Sequence, residues 1–193
     1  MSLRRVLAPL CLTAAAIVSA CAEPPDKEIQ QARTAIEAAR TAGADQYAHD
    51  EFSAAEEALK RANDAVAERD YRLALNYALD ARDRAQTATK EAGSRKAVAR
   101  GDAERALGRA NVALAAAHAK LKAADASHMT PRALAQQRRA LDSADKGVQK
   151  ARAAMERGDY LAAVDEANAA TPRLQAVVHD LDAASAATAR RRR

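Results

Sequence analysis

Glu68-Arg69-Asp70-Tyr71 and Glu156-Arg157-Gly158-Asp159-Tyr160 are two versions of one short turn, and the residues around them repeat as well. With the tyrosines superposed, Ala74 falls on Ala163, Ala78 on Ala167 and Ala81 on Ala170. In the other direction Val66 falls on Met155, Ala62 on Ala151, Leu59 on Val148 and Ala55 on Ala144. These positions recur at steps of three and four, so each side of the turn reads as an amphipathic helix. Asp70 is placed to cap the helix that follows it. A connection this short folds two helices back as antiparallel neighbours, and a seam of alanines lets their axes approach closely.

The register changes once. At the start of the middle helix Tyr47-Ala48-His49 meets Met129-Thr130-Pro131 and Phe52 meets Leu134, which makes the second copy longer by one heptad. Seven residues are close to two helical turns, so the insertion lengthens the helix and returns its apolar face to the same side.

Working outward, Ile29, Ala32, Ile36 and Ala39 form the face of a first helix starting at Glu28, with Asp26 as its cap and Gly43 as its stop. Residues 43–50 read as a loop. In the second half Leu107, Ala110, Leu114, Ala117, Leu121 and Ala124 make another seam, and Thr130-Pro131 restarts a helix with Pro in its first turn. The last seam runs from Tyr160 to Ala184 and contains Pro172, which predicts a kink near Ala170. Between the halves Gly93-Ser94 and Gly101-Asp102 flank the basic residues Arg95, Lys96 and Arg100, and the boundary is placed there. One long helix through both glycines is the alternative, since an interior Gly costs only about 1 kcal/mol relative to Ala. The expected fold is all-α: an antiparallel Ala-rich bundle of two related three-helix units, residues 28–93 and 94–187, ahead of a basic tail at 188–193.

Gly43-Ala44, Tyr47-Ala48, the acidic-apolar start at Asp50-Glu51-Phe52 and the Asp70-Tyr71 turn before an Ala-rich helix resemble the bacterial domain of unknown function 4398. That resemblance covers residues 43–88, with His49 where the family usually has Pro. The second copy keeps Pro131 but has Met129 in place of the tyrosine. The family occurs in small envelope lipoproteins, so the resemblance implies a helical fold and an envelope compartment, and it brings no assigned activity.

The N-terminus points to the same compartment. Basic Arg4 and Arg5 precede an apolar run from Val6 to Ala20, which has the anatomy of a signal peptide over residues 1–20. Val18-Ser19-Ala20-Cys21 resembles a lipobox, which implies that Cys21 is acylated and becomes the first mature residue. Cleavage by the common signal peptidase and ordinary secretion is the alternative. The remaining cysteine, Cys11, lies inside the apolar run, so the mature chain has no disulfide and no paired thiolates for zinc. Several acyl chains on one residue hold a membrane far more tightly than one, since each buried methylene contributes about 0.8 kcal/mol. An Ala at position 22 implies the outer membrane where the residue after the cysteine governs sorting. Residues 21–27, with Pro24-Pro25, make a short stiff spacer.

Composition agrees with helix: the chain is 49% hydrophobic, with four Tyr, one Phe and no Trp. The formal charge of +5 falls to +3 without Arg4 and Arg5, and four of the remaining positive charges are Arg190, Arg191, Arg192 and Arg193. The body up to Ala189 therefore carries about −1, which argues against a nucleic-acid partner.

No cofactor or catalytic constellation emerges. His49, His118, His128 and His179 occur in no ligand-like spacing, so no metal is expected. Glu56-Glu57 and Asp80 with Asp83 have the composition of acid–base pairs but read as a solvated helix face with partners of opposite charge. Tyr71 and Tyr160 read as plugs packed at equivalent helix turns, with a tyrosine ligand surface including Tyr47 and Tyr77 as the alternative. The four-arginine tail follows the flexible-looking residues 184–189, and it is either a solvated end or an anion-binding site. Forked guanidinium groups suit peptidoglycan carboxylates, lipid headgroups and lipopolysaccharide phosphates. The expected function is a noncatalytic outer-membrane scaffold or tether, held by lipid at one end and by electrostatics at the other. The alternative is a helical adaptor whose grooves bind a partner protein of an envelope machine.

Overall fold

The computed structural model describes residues 23–127 and 131–191. Among them all regular structure is helical: α1 (Asp26–Thr41), α2 (Ala44–Tyr47), α3 (His49–Ala67), α4 (Tyr71–Ala126), α5 (Pro131–Glu156) and α6 (Tyr160–Arg191). The chain divides into two compact units, one ending at Gly93 and the other beginning at Ser94. The first unit packs α1 and α3 with the first part of α4. The second packs the remainder of α4 with α5 and α6.

Parts of each core are layers to which three helices each give one residue, mostly alanine. Ile29, Ala62 and Ala78 form one such layer, and Ala32, Ala58 and Ala81 the next. The second unit has Ala103, Ala154 and Ala163 in one cluster, with Tyr160 and Met155 packed against it. Small side chains allow close axes, and Gly147 shows how close: a Cβ there would lie 3.3 Å from the Ala170 Cβ. The largest fully buried side chains, Leu134, Val148, Leu174 and Leu181, all belong to the second unit. Where the first unit buries Ala85, Ala88 and Ala92 on α4, the second buries Leu174, Val177 and Leu181 on α6.

The turn that organises the sequence is the same backbone device twice. At the end of α3, Arg69 N donates to the Val66 carbonyl at 3.0 Å and Asp70 N to the Ala65 carbonyl at 2.9 Å. At the end of α5, Gly158 N reaches Met155 at 3.1 Å and Asp159 N reaches Ala154 at 3.0 Å. This closure needs a left-handed residue after the helix, and Arg69 and Gly158 supply it with φ of 62° and 77°. The next residue starts the following helix. Asp70 Oδ1 accepts from Leu73 N at 3.0 Å, and Asp159 Oδ1 accepts from Ala162 N at 3.2 Å.

The helix lengths carry the heptad insertion, with 19 residues in α3 and 26 in α5. Its opposite arm grows by the same amount. Shifting α1 by 78 residues lays Ile29, Ala32, Ile36 and Ala39 on Leu107, Ala110, Leu114 and Ala117, and α4 continues seven residues past the counterpart of Thr41. Two arms lengthened together keep the added residues Leu121 and Ala124 covered, in one cluster with Leu134 and Leu141.

The boundary between the halves lies at Gly93-Ser94 as expected, and α4 runs through Gly93 and Gly101 as one helix of 56 residues, which was the alternative; other expectations are corrected. Neither glycine has positive φ, and buried Ala92, Ala99 and Ala103 keep an apolar stripe across the segment. Asp26 is not a cap: α1 starts there with Pro25 at the cap position, and Asp26 and Glu28 instead place negative charge in the first turn. The loop expected at 43–50 contains the helical turn α2 and the start of α3, folded over buried Ala44, Tyr47 and Ala48. Gly43 does stop α1, with φ of 84°. Residues 184–189 are part of α6, so the limit placed at 187 falls inside that helix. Pro172 sits within α6, which runs on past it.

Candidate functional site

The lipobox residues Val18, Ser19 and Ala20 and the acylation candidate Cys21 lie outside the described residues, as do Arg192, Arg193 and His128. What is described of the basic tail is its entrance. Residues Ala184 to Arg190 are helical, with Thr188 Oγ1 donating to the Ala184 carbonyl at 2.9 Å, and Arg190 is exposed. The arginine run therefore begins on a helix C-terminus, where unsatisfied carbonyls favour cations.

The acids that resembled acid–base pairs are each taken by an arginine. Glu56 accepts from Arg40 at 2.7 Å, Asp80 lies 3.0 Å from Arg84, and Glu57 and Asp83 pair with Arg61 and Arg82. Hydrogen bonding and charge from Glu37, then from Glu56, raise the pKa of the Arg40 guanidinium above its ordinary value. Asp80 does the same to Arg84. Among the described residues no charged or polar side chain is buried, and no group of His, Cys, Asp and Glu converges as a metal site. His49, at the start of α3, bonds locally, with Nδ1 3.3 Å from the Asp45 carbonyl of α2. His118 and His179 are exposed. Among the described residues no helix is long and apolar enough to cross a membrane.

The tyrosines occupy separate packing positions. Tyr47 is buried beneath α2, Tyr77 packs on the layer of Ile29, Ala62 and Ala78, and Tyr160 packs on Ala103, Ala154 and Ala163. Tyr71 is half-buried at the start of α4.

Two surface grooves are present whose lining residues the sequence did not single out. In the first unit a groove of about 770 Å³ runs between α1 and α4 over Ala35 and Ala38, with Lys27, Arg82 and Lys90 at its edges. In the second a groove of about 670 Å³ runs between α4 and α6 over Ala113 and Ala116, edged by Arg105 and Arg109. Neither lining includes a carboxylate. A third depression, between α1 and α3, is different: it carries Glu37, Glu56 and Asp64 with Arg33 and Arg40, and it is bridged by Arg40–Glu56 and by Arg33 to Asn63 at 3.3 Å. Lys27, Gln31 and Arg82 read in sequence as an ordinary wet face. The signal that finds the first two is the 78-residue match of the first helix, which sets Lys27 on Arg105 and Gln31 on Arg109; Arg82 falls on Thr171 and has no such signal.

No curated protein and no solved structure matches the chain. One family model does, and its limits enclose α1, α2, α3 and α4 as far as Ala106. Residues 27–106 match the model of the domain of unknown function DUF4398.

Proposed function

We propose that the protein is a noncatalytic lipoprotein of the outer membrane that acts as an envelope scaffold or tether, anchored through Cys21 and binding anionic envelope polymers through Arg190 to Arg193. Residues 94–187 are, in this reading, a divergent second copy of the domain in residues 27–106. The observation that carries the tether is the helical course of α6 up to Arg191. A helix presents its terminal charges from a fixed stem, so less ordering entropy opposes binding than for a loose chain. The near-neutral body concentrates the attraction in that end. Glu56 and Asp80 are engaged by arginines, which supports a structural and not a catalytic use of those carboxylates.

Labelled palmitate fed to cells producing the full chain tests the anchor. The label is expected in the wild-type protein, in the outer-membrane fraction, and absent from Cys21→Ser. An unlabelled wild-type protein in the soluble periplasmic fraction would overturn the anchor. The pair of open grooves supports the adaptor as a second reading.

A further inference from the structure

The two grooves are one surface built twice. A shift of 78 residues carries Lys27 onto Arg105, Gln31 onto Arg109, Ala35 onto Ala113 and Ala38 onto Ala116. On the opposite wall a shift of 89 carries Gln86 onto Gln175. The polar links differ: Arg82 of α4 donates to Gln31 at 3.4 Å in the first groove, whereas Thr171 stands in place of Arg82 in the second and Arg109 donates to Asn168, outside the lining, at 3.2 Å. Both floors include alanine and neither lining carries an acid; the first groove has cations on both walls, Lys27 on α1 and Arg82 with Lys90 on α4, and the second on its α4 wall alone, Arg105 and Arg109, facing Thr171, Gln175 and Val178. In the second groove Val112 is 73% exposed, a large apolar side chain with nothing over it among the described residues.

We infer that each groove is a docking site for an acidic amphipathic helix of a partner protein. Charge complementarity selects the occupant: carboxylates beside an apolar stripe would meet Lys27 in one groove and Arg109 in the other, and would share Arg82 with Asp83 and Arg105 with Asp102. The shape agrees. From Lys27 to Ala38 the lining follows about three turns of α1, roughly 16 Å at 1.5 Å per residue, and small floor residues allow a third helix to lie close. An acyl chain fits less well, because a groove this open would leave much of its length in water. The inference is independent of the lipid anchor and of the arginine tail.

The probe is a synthetic peptide of about 16 residues, four helical turns, with a Leu/Ala stripe flanked by Glu, set against an isomer with Lys in place of every Glu. It is titrated calorimetrically into the chain from Glu23 to Arg193, which keeps both compact units whole. The acidic peptide is expected to bind with two equivalents per chain, and at least about tenfold more tightly than its Lys isomer. Lys27→Glu with Ala38→Gln should remove one equivalent, and Arg109→Glu with Ala116→Gln the other; Lys27, Ala38, Arg109 and Ala116 are exposed, so circular dichroism should be unchanged. A twin lacking Arg190 to Arg193 should bind the peptide equally, which separates this result from failure of the tether. Absence of acidic-peptide binding, equal binding of both peptides, or binding indifferent to the groove variants would overturn the inference. So would groove variants that abolish only self-association or only attachment to phosphatidylglycerol vesicles.

Discussion

Exchanging the left-handed residues of the two turns tests whether the turns are one device. Arg69 and Gly158 share that conformation, with φ of 62° and 77°. For an L-residue the left-handed region costs about 1–2 kcal/mol, a cost Gly escapes. Gly in turn loses more freedom on folding, about 0.5–1 kcal/mol relative to Ala. Arg69→Gly should therefore stabilise by up to about 1 kcal/mol, since the exposed Arg69 side chain takes no part in the turn's backbone bonds. Gly158→Arg should cost a similar amount. Nothing lies within 4 Å of a Cβ built at Gly158, so that cost is backbone strain alone. Urea unfolding followed by far-ultraviolet circular dichroism measures both, and in a chain of this size about 1 kcal/mol corresponds to a shift of roughly 2–4 °C in Tm. The double variant should return close to wild type, because the turns lie in separate units and distant changes add. A stabilising Gly158→Arg, or an Arg69→Gly that loses stability, would refute the assignment of both turns to one motif.

Three further outcomes follow from the packing. Gly93→Ala should stabilise by about 1 kcal/mol in the same assay, because the residue is mid-helix and a Cβ there meets nothing within 4 Å; a loss would mean that the junction is not helical. Leu174→Ala should cost about 2–5 kcal/mol even though Ala85 fills the equivalent place in the first unit, since Leu174 is fully buried among residues already packed around it; a cost below about 1 kcal/mol would contradict that packing. Asp70→Ala and Asp159→Ala should each cost about 1 kcal/mol through loss of their bonds to Leu73 N and Ala162 N, and hydrogen exchange should show opening confined to the first turns of α4 and α6.

The parts of the fold that were legible in sequence depend on short-range chemistry. Steps of three and four placed Ala55, Ala62, Ala74 and Ala78 on buried faces, and Asp70 declared a cap. The heptad difference between α3 and α5 was legible because helix period and heptad nearly coincide. Gly93 marked the boundary between the units without ending the helix, because a glycine's small helix penalty is overridden by continued burial of Ala92, Ala99 and Ala103. The single turn α2 was hidden because four residues cannot form a helix on propensity; burial of Ala44 and Tyr47 holds it. The grooves were hidden for another reason. Lys27, Gln31, Arg105 and Arg109 are polar and exposed, so no hydrophobic pattern marks them, and only the comparison of the two halves sets Lys27 on Arg105 and Gln31 on Arg109.

The most direct test of the tether is sedimentation of the chain from Glu23 to Arg193 with purified peptidoglycan sacculi and with lipopolysaccharide, at low and high salt, beside a twin lacking Arg190 to Arg193. The account predicts that the complete chain sediments with at least one of these polymers at low salt, and that high salt or loss of the four arginines releases it. Equal sedimentation of both proteins, or of neither, would contradict it.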